Sequence, residues 1–191
     1  MNIGIYIYDN AEVLDFSGPF EVFNVAKRLS ENDWNVFLVS ETSSIVKARG
    51  NFQIEPHYTI TNHPKIDVLV IVGGIHTAEV KKENVINWVL RTSDSAKLVV
   101  SVCTGCFLLA EAGLLDGLSV TTHWDDIPDL KSQYPQLKVL KNQRWIQDGK
   151  YVTSGGISAG IDMSLFLVSR LTSQDLAEKT AKQMEYRWNT I

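Results

Sequence analysis

The chain contains few cysteines, no excess of basic residues and no long apolar run. Among its 191 residues are two cysteines, Cys103 and Cys106, and their close spacing excludes a disulfide scaffold. The net charge of -4 does not favour binding to a phosphate backbone. No run approaches the roughly 20 apolar residues that span a bilayer, and the first residues do not resemble a signal peptide. We therefore expect a cytoplasmic protein without nucleic-acid or membrane partners.

Metal and dithiol chemistry also lack their usual sequence signals. No second thiol pair and no closely spaced histidine pair is present to complete a set of four metal ligands, so we predict no metal site. The spacing of Cys103 and Cys106 occurs in thioredoxin-type redox motifs, but those normally carry Trp before the first cysteine and Pro inside the motif. Here Val102 and Thr104-Gly105 occupy these positions. We expect Cys106 to pack inside a helix.

Strand and helix patterns alternate along the chain. This order predicts an α/β fold with a mostly parallel central sheet sandwiched between helices, in one domain over residues 1–191. Strands are predicted at 2–8, 34–40, 66–72, 98–102 and 119–122, with hairpins at 44–56 and 143–154. Helices are predicted to end at Leu29 and to cover 84–91, 125–134 with an interruption at Pro128, 157–171 and 173–186, besides one after Cys103.

The segment around Cys103 is the strongest candidate for chemistry. Residues 98–102 have the apolar character of a strand covered on both faces, and helical spacing begins directly after them. Cys103 is thus predicted on a tight turn at the carboxyl end of the sheet, where open α/β folds bind ligands. Backbone N–H groups and the dipole of the following helix would favour its thiolate form. The alternative is a buried, inert cysteine.

Two other loops are expected at the same edge of the sheet. Asp15 is predicted in the loop between the first strand and the helix that contains Pro19, where it could exchange protons with Cys103. A thiolate beside it would raise the pKa of its carboxyl group. Gly73 and Gly74 follow the strand at 66–72, so their N–H groups could form an oxyanion hole or simply a tight turn.

Two polar residues complete the set of candidates. Thr104 offers a hydroxyl group and a backbone N–H beside Cys103. His123 follows the strand at 119–122 and is either a structural residue or a general base for the thiol.

These residues form a recognisable pattern. The segments VLDFSGPFEVF, DVLVIVGG, SVCTGCFLLAEAGLLDG, VTTHW and VTSGGISAGIDM resemble the ThiJ/PfpI superfamily, and within it the isonitrile hydratase group. The resemblance implies a flavodoxin-like, class I glutamine amidotransferase-like fold with a nucleophile elbow. It also implies a homodimer that acts on a small molecule. The same unit occurs in AraC-type regulators, but we expect no helix-turn-helix half here because the chain ends soon after Trp188.

The resemblance also implies roles for individual residues. Cys103 would be the nucleophile, Asp15 the acid near it and Thr104 a helper in proton transfer. Gly156 and Ile157 would line the pocket. The protease-like branch has His directly after its cysteine, and Thr104 departs from that pattern.

Three functions follow from this set of residues. The first is hydration of an isonitrile to an N-substituted formamide by Cys103 and Asp15, without any cofactor. The second is a hydrolase or glyoxalase-like enzyme in which His123 assists Cys103. The third is a non-catalytic sensor in which Cys103 is oxidised.

Overall fold

A seven-stranded sheet lies at the centre of the computed structural model, which describes residues 1–189. The strands in chain order are β1 (Asn2–Tyr6), β2 (Asn35–Ser40), β3 (Val46–Ala48), β4 (Phe52–Ile54), β5 (Tyr58–Thr59), β6 (Val68–Ile71), β7 (Leu98–Val102), β8 (Ser119–Val120), β9 (Lys138–Val139), β10 (Trp145–Asp148) and β11 (Tyr151–Ser154). The sheet order is β10-β11-β7-β6-β1-β2-β5, and all neighbours are parallel except β10 and β11. The predicted parallel α/β fold is confirmed.

Helices cover this sheet. They are α1 (Val13–Arg28), α2 (Glu83–Ser95), α3 (Gly105–Glu111), α4 (Ile127–Gln133), α5 (Ala159–Leu171) and α6 (Gln174–Gln183). Helices α1, α5 and α6 pack against one another, and α2 packs against α3. Strands β1, β6 and β7 are buried along nearly their whole length, as expected for parallel strands covered on both faces. Within residues 1–189, no helix has the length and apolar character needed to cross a membrane.

The start of α1 differs from the sequence prediction. Asp15 lies in the first turn of this helix instead of the loop before it, and Pro19 lies well inside the helix. The prediction placed Pro19 near the helix start, where proline is most common. In the structure, the Glu12 N–H donates to the Gly73 carbonyl oxygen (2.9 Å), and the helix begins at the next residue, Val13.

Two further predictions near residues 119–134 are corrected. Pro128 does not interrupt a helix; it occupies the start of α4, where its missing N–H needs no partner. The strand predicted at 119–122 ends at Val120 and pairs with β9 outside the central sheet. The next two residues form hydrogen bonds between backbone and side chain instead of strand pairs. The Thr121 backbone N–H donates to the Thr153 side chain at Oγ1 (2.9 Å), and the Thr122 side chain donates from Oγ1 to the Cys103 carbonyl oxygen (2.8 Å).

Gly105 allows α3 to begin directly against β6. A Cβ atom at this position would lie 2.2 Å from the Ile71 carbonyl oxygen, which is fixed in the sheet. We expect Gly105→Ala to lower the free energy of unfolding by about 2–3 kcal/mol in urea titrations, because the helix must move away from the strand. At Gly155 a Cβ would meet nothing closer than 3.6 Å, so Gly155→Ala is the matched control. Equal stability of the two variants would contradict this expectation.

Candidate active site

Cys103 lies on a sharp turn between β7 and α3. Its φ of 55° is in the left-handed region, which is uncommon for a residue with a side chain and often marks functional sites. The turn is held from several sides: the Cys103 N–H is shared between the carbonyl oxygens of Ser154 (3.2 Å) and Gly155 (3.3 Å), and its own carbonyl accepts from Thr122. The predicted elbow is therefore present, with the cysteine at its apex.

The Asp15 carboxyl group meets Cys103 at Gly73. The Gly73 N–H donates to Asp15 Oδ2 (3.1 Å). A Cβ atom at Gly73 would lie 2.7 Å from this oxygen, 2.7 Å from Cys103 Cβ and 2.6 Å from the Thr104 nitrogen. Only a glycine can occupy a position this close to three groups. The absence of a side chain at Gly73 thus allows the carboxyl group and the cysteine to share one small space.

Burial controls the protonation of Asp15. The residue has no exposed surface, and this burial raises the pKa of its carboxyl group to about 7, against the opposing effects of the Gly73 N–H and the Cys103 thiol. A carboxyl group with this pKa can both give and accept a proton near neutral pH.

The Cys103 thiol is not acidified, contrary to the expectation from the helix dipole. The residue is only 7% exposed, and this burial raises the pKa of the thiol. The negative charge of Asp15 raises the pKa further, and the Thr104 N–H provides only partial compensation. Desolvation and a neighbouring carboxylate therefore outweigh the N-terminus of the short helix α3. The resting thiol keeps its proton.

The Thr104 side chain binds the backbone of Gly74. Its Oγ1 accepts from the Gly74 N–H and donates to the Gly74 carbonyl oxygen, both at 2.9 Å, so its only proton is already engaged. The amides of Gly73 and Gly74 are likewise engaged, by Asp15 and by Thr104 respectively. In this geometry the two glycine amides do not form a free oxyanion hole, and Thr104 fixes the glycine turn.

Removing the Thr104 hydroxyl group should loosen this turn. We expect Thr104→Val to lower the free energy of unfolding by about 1–3 kcal/mol, because both polar groups of Gly74 lose their partner. Thr104→Ser keeps the hydroxyl group and should remain close to the parent in the same urea titration. If the valine variant were as stable as the serine variant, the assignment of Thr104 to the turn would be wrong.

His123 lies near the sulfur and pairs with a residue that the sequence analysis missed. A Cβ atom at Gly156 would lie 2.3 Å from His123 Cδ2 and 3.1 Å from Cys103 Sγ, so the imidazole ring and the sulfur approach the same glycine. Nδ1 of His123 lies 3.1 Å from Asp126 Oδ2. Because a carboxylate only accepts, Nδ1 donates and Nε2 is left as the basic nitrogen. The His-x-x-Asp spacing across a turn was the available sequence signal for Asp126.

Tyr8 was also missed as a neighbour of the site. Its side chain is buried, and within the described part of the chain its hydroxyl group has no hydrogen-bond partner of standard geometry. Burial raises the pKa of Tyr8, and the charges of Glu79 and Asp15 raise it further, whereas the nearby Thr104 hydroxyl group lowers it. The sequence pattern indicated only a strand residue, since alternation does not reveal which hydroxyl group lacks a partner.

Five of the predicted site residues line a pocket of about 200 Å³: Gly74, Cys103, Thr104, His123 and Ile157. Ile157 is 39% exposed. The pocket wall also includes the ion pair between Arg49 and Glu12 (3.6 Å), which the sequence analysis did not single out. Asp15, Gly73 and Gly156 do not line this pocket. Among residues 1–189 no cluster of three or more His, Cys, Asp or Glu side chains could hold a metal ion.

The fold and site define an α/β protein with a cysteine on a nucleophile elbow and a buried carboxyl group beside it. The chain belongs to the DJ-1/PfpI family, which matches residues 1–170.

Individual relatives include both enzymes and regulators. The chain is 32% identical over 190 residues to isonitrile hydratase of Pseudomonas putida, covering 97% of this chain and 78% of that protein. It is 29% identical over 171 residues to the HTH-type transcriptional regulator CdhR of Pseudomonas aeruginosa, covering 90% of this chain and 51% of the regulator. It thus spans about half the regulator's length. The crystal structure of a ThiJ/PfpI family protein from Pseudomonas syringae superposes with a TM-score of 0.88 at 26% identity, covering 98% of this chain and 76% of that one.

Proposed function

We propose that this protein hydrates an isonitrile to an N-substituted formamide, with Cys103 as the nucleophile and Asp15 as the proton carrier. The observation that carries the proposal is the meeting of the two side chains at Gly73, with the pKa of Asp15 raised to about 7. Isonitrile hydration needs a nucleophile and a proton delivered to the same carbon, and a thiol beside a carboxyl group of neutral pKa can supply both. The similarity to isonitrile hydratase supports the same chemistry.

The first step is a covalent addition to the terminal isonitrile carbon. Asp15, as carboxylate, takes the thiol proton while the Cys103 sulfur forms a bond to the carbon. The carboxyl group then transfers this proton to the same carbon, which gives an enzyme-bound thioimidate, S–CH=N–R. The high pKa of the thiol means that sulfur becomes a nucleophile only when Asp15 accepts its proton, so the two events are coupled.

The second step releases the product. The oxygen of a water molecule adds to the thioimidate carbon while one water proton goes to the nitrogen. The carbon–sulfur bond then breaks as the carbonyl group forms, and the remaining hydroxyl proton goes to the sulfur. One isonitrile and one water are consumed for each formamide, and the reaction needs no electron donor or acceptor. The Thr104 N–H, which faces the sulfur, is the available backbone donor for charge that develops at the reacting centre.

The activity is tested with an aliphatic and an aromatic isonitrile. Purified protein should convert at least one of them to the formamide, detected by nuclear magnetic resonance. In deuterated water the formyl carbon should carry deuterium, because the isonitrile carbon has no hydrogen of its own, and this label distinguishes the enzymatic product from formamide already present. No turnover of any isonitrile in a small panel would refute the activity, and full turnover by Cys103→Ala would refute the mechanism.

His123 supports a second candidate function, a hydrolase in which Cys103 attacks an acyl or carbonyl group. The Asp126 side chain holds the imidazole ring close to the sulfur, an arrangement of nucleophile, base and orienting acid that acyl transfer uses. This candidate requires His123 as the base. We expect His123→Ala to abolish any hydrolysis of esters or amides, whereas isonitrile hydration through Asp15 should persist.

The proposal includes a small-molecule substrate, no cofactor, a homodimer and a cytoplasmic location. These follow from the family resemblance and from the composition. A sensor that acts through oxidation of Cys103 is less favoured, because peroxides react with thiolates and burial keeps this thiol protonated.

A further inference from the structure

A second cavity of about 370 Å³ lies next to the Cys103 pocket, and we call it the side cavity. Its wall includes Thr122, Trp124, Lys141, Arg144, Gly156 and Ala159. The two cavities share the segments 122–124 and 155–157: His123 and Ile157 line the Cys103 pocket, whereas their sequence neighbours line the side cavity.

Gly156 belongs to the wall of the side cavity and also lies close to the Cys103 sulfur. A Cβ atom at this position would lie 3.1 Å from Cys103 Sγ and 2.3 Å from His123 Cδ2, so the absence of a side chain allows the imidazole ring and the sulfur to pack against the cavity wall. Another wall residue, Thr122, donates to the Cys103 carbonyl oxygen. The Cys103 pocket alone, at about 200 Å³, is smaller than the roughly 300–1,000 Å³ of most ligand sites. A substrate larger than a few atoms therefore needs the neighbouring space.

The ionisable residues in the wall of the side cavity are basic, although the chain carries a net charge of -4. Lys141 and Arg144 are its ionisable wall residues, and within the described residues 1–189 no acidic side chain lines it. Arg144 forms an ion pair with the buried Asp162, but its Nε atom is buried and has no hydrogen-bond partner. Lys141 takes part in no ion pair in the described part of the chain. These groups are suited to an anionic partner such as a carboxylate.

The rest of the wall is apolar. Trp124 is 75% exposed and adjoins Ile127 and Pro128 in the wall, and Ala159 provides a further small apolar surface. An exposed tryptophan beside a cavity provides a large flat surface for an aromatic or aliphatic group, and aromatic side chains are common in ligand sites.

We propose that the side cavity binds the far end of the substrate, an apolar or aromatic group that ends in a carboxylate. Resting on the proposed function, this identifies the substrate class as isocyano carboxylic acids and the product as the corresponding N-formyl acid. The isonitrile carbon lies at Cys103, the apolar part contacts Trp124, and the carboxylate lies near Lys141 and Arg144.

The test measures binding of a product, so it does not depend on turnover. para-Formamidobenzoate and its methyl ester are titrated into the full chain by isothermal titration calorimetry. We expect the acid to bind about tenfold more tightly than the ester, because only the acid carries the charge. Lys141→Gln should remove this difference, and Trp124→Ala should weaken both ligands. Lys138→Gln is the matched control, since it removes the charge of an exposed lysine outside the side cavity.

Equal binding of acid and ester, or no binding of either, would overturn the proposal. So would a preference for the acid that persists in Lys141→Gln. If the acid binds as expected but no isonitrile is turned over, the side cavity is a carboxylate site and the proposed reaction is wrong. If neutral isonitriles are hydrated and the acid shows no preference, the reaction stands and the assignment of the side cavity fails.

Discussion

Replacing Cys103 by serine is expected to reduce isonitrile hydration by at least about 10³-fold while the protein remains folded. The hydroxyl group of serine is a far weaker nucleophile than the thiol group, and the addition to the isonitrile carbon depends on this atom. Serine is close in size to cysteine, so the left-handed turn and the hydrogen bonds of its backbone should persist. The measurement compares initial rates of formamide formation, with circular dichroism spectra to verify the fold.

Cys106 provides the matched control for this variant. It is fully buried in α3, and burial raises the pKa of its thiol to about 12, so it remains a protonated packing residue. Cys106→Ala should keep most of the activity per folded molecule. Full activity in Cys103→Ser, or a comparable loss in both variants, would show that Cys103 is not the nucleophile.

Replacing Asp15 by asparagine is expected to have two opposite effects: a loss of activity of about 10²-fold or more and a gain in stability above neutral pH. The activity falls because an amide cannot take the thiol proton. In the parent, kcat/KM should rise with pH until about pH 7 and then level off, because the reactive state is the one in which Asp15 has released its proton. The asparagine variant should lack this rise.

The stability gain follows from the raised pKa of Asp15. The carboxyl group has a pKa of about 7 in the folded chain, against 3.8 for an unperturbed aspartate. Its favourable contribution to the free energy of unfolding is therefore complete below about pH 4 and is lost as the pH rises through about 7. Above pH 7 the folded protein holds a buried carboxylate at a cost of about 4 kcal/mol. Because the buried asparagine amide also lacks good partners, we expect a net gain of about 2 kcal/mol for Asp15→Asn.

Urea titrations at about pH 4 and about pH 8 check this expectation. Asp15→Asn should be about 2 kcal/mol less stable than the parent at the lower pH, where only the cost of the unpartnered amide remains, and about 2 kcal/mol more stable at the higher pH. Asp116→Asn removes an exposed carboxylate and should show no such dependence. A stability difference that is independent of pH would contradict the raised pKa of Asp15.

Local patterns were sufficient for the central part of the fold and for the position of Cys103. The apolar run of β7 followed at once by helical spacing predicted the turn at Cys103, because both signals lie within a few residues of each other. Asp15 was placed near Cys103 although it is distant in sequence, since the carboxyl ends of parallel strands gather at one edge of a sheet. The hairpins β3–β4 and β10–β11 were predicted from turn residues between short strand patterns.

The sequence by itself thus determined the order of strands and helices, the turn at Cys103 and the proximity of Asp15 to this cysteine. Only the tertiary structure decided which protons are available: it buried Asp15 and Cys103, engaged the amides of Gly73 and Gly74, and placed Asp126 against His123. The physical reason is that desolvation and hydrogen-bond partners depend on atoms contributed by distant segments. The side cavity beside Gly156 is also a property of the packed chain, because segments around residues 122, 142 and 156 form it together.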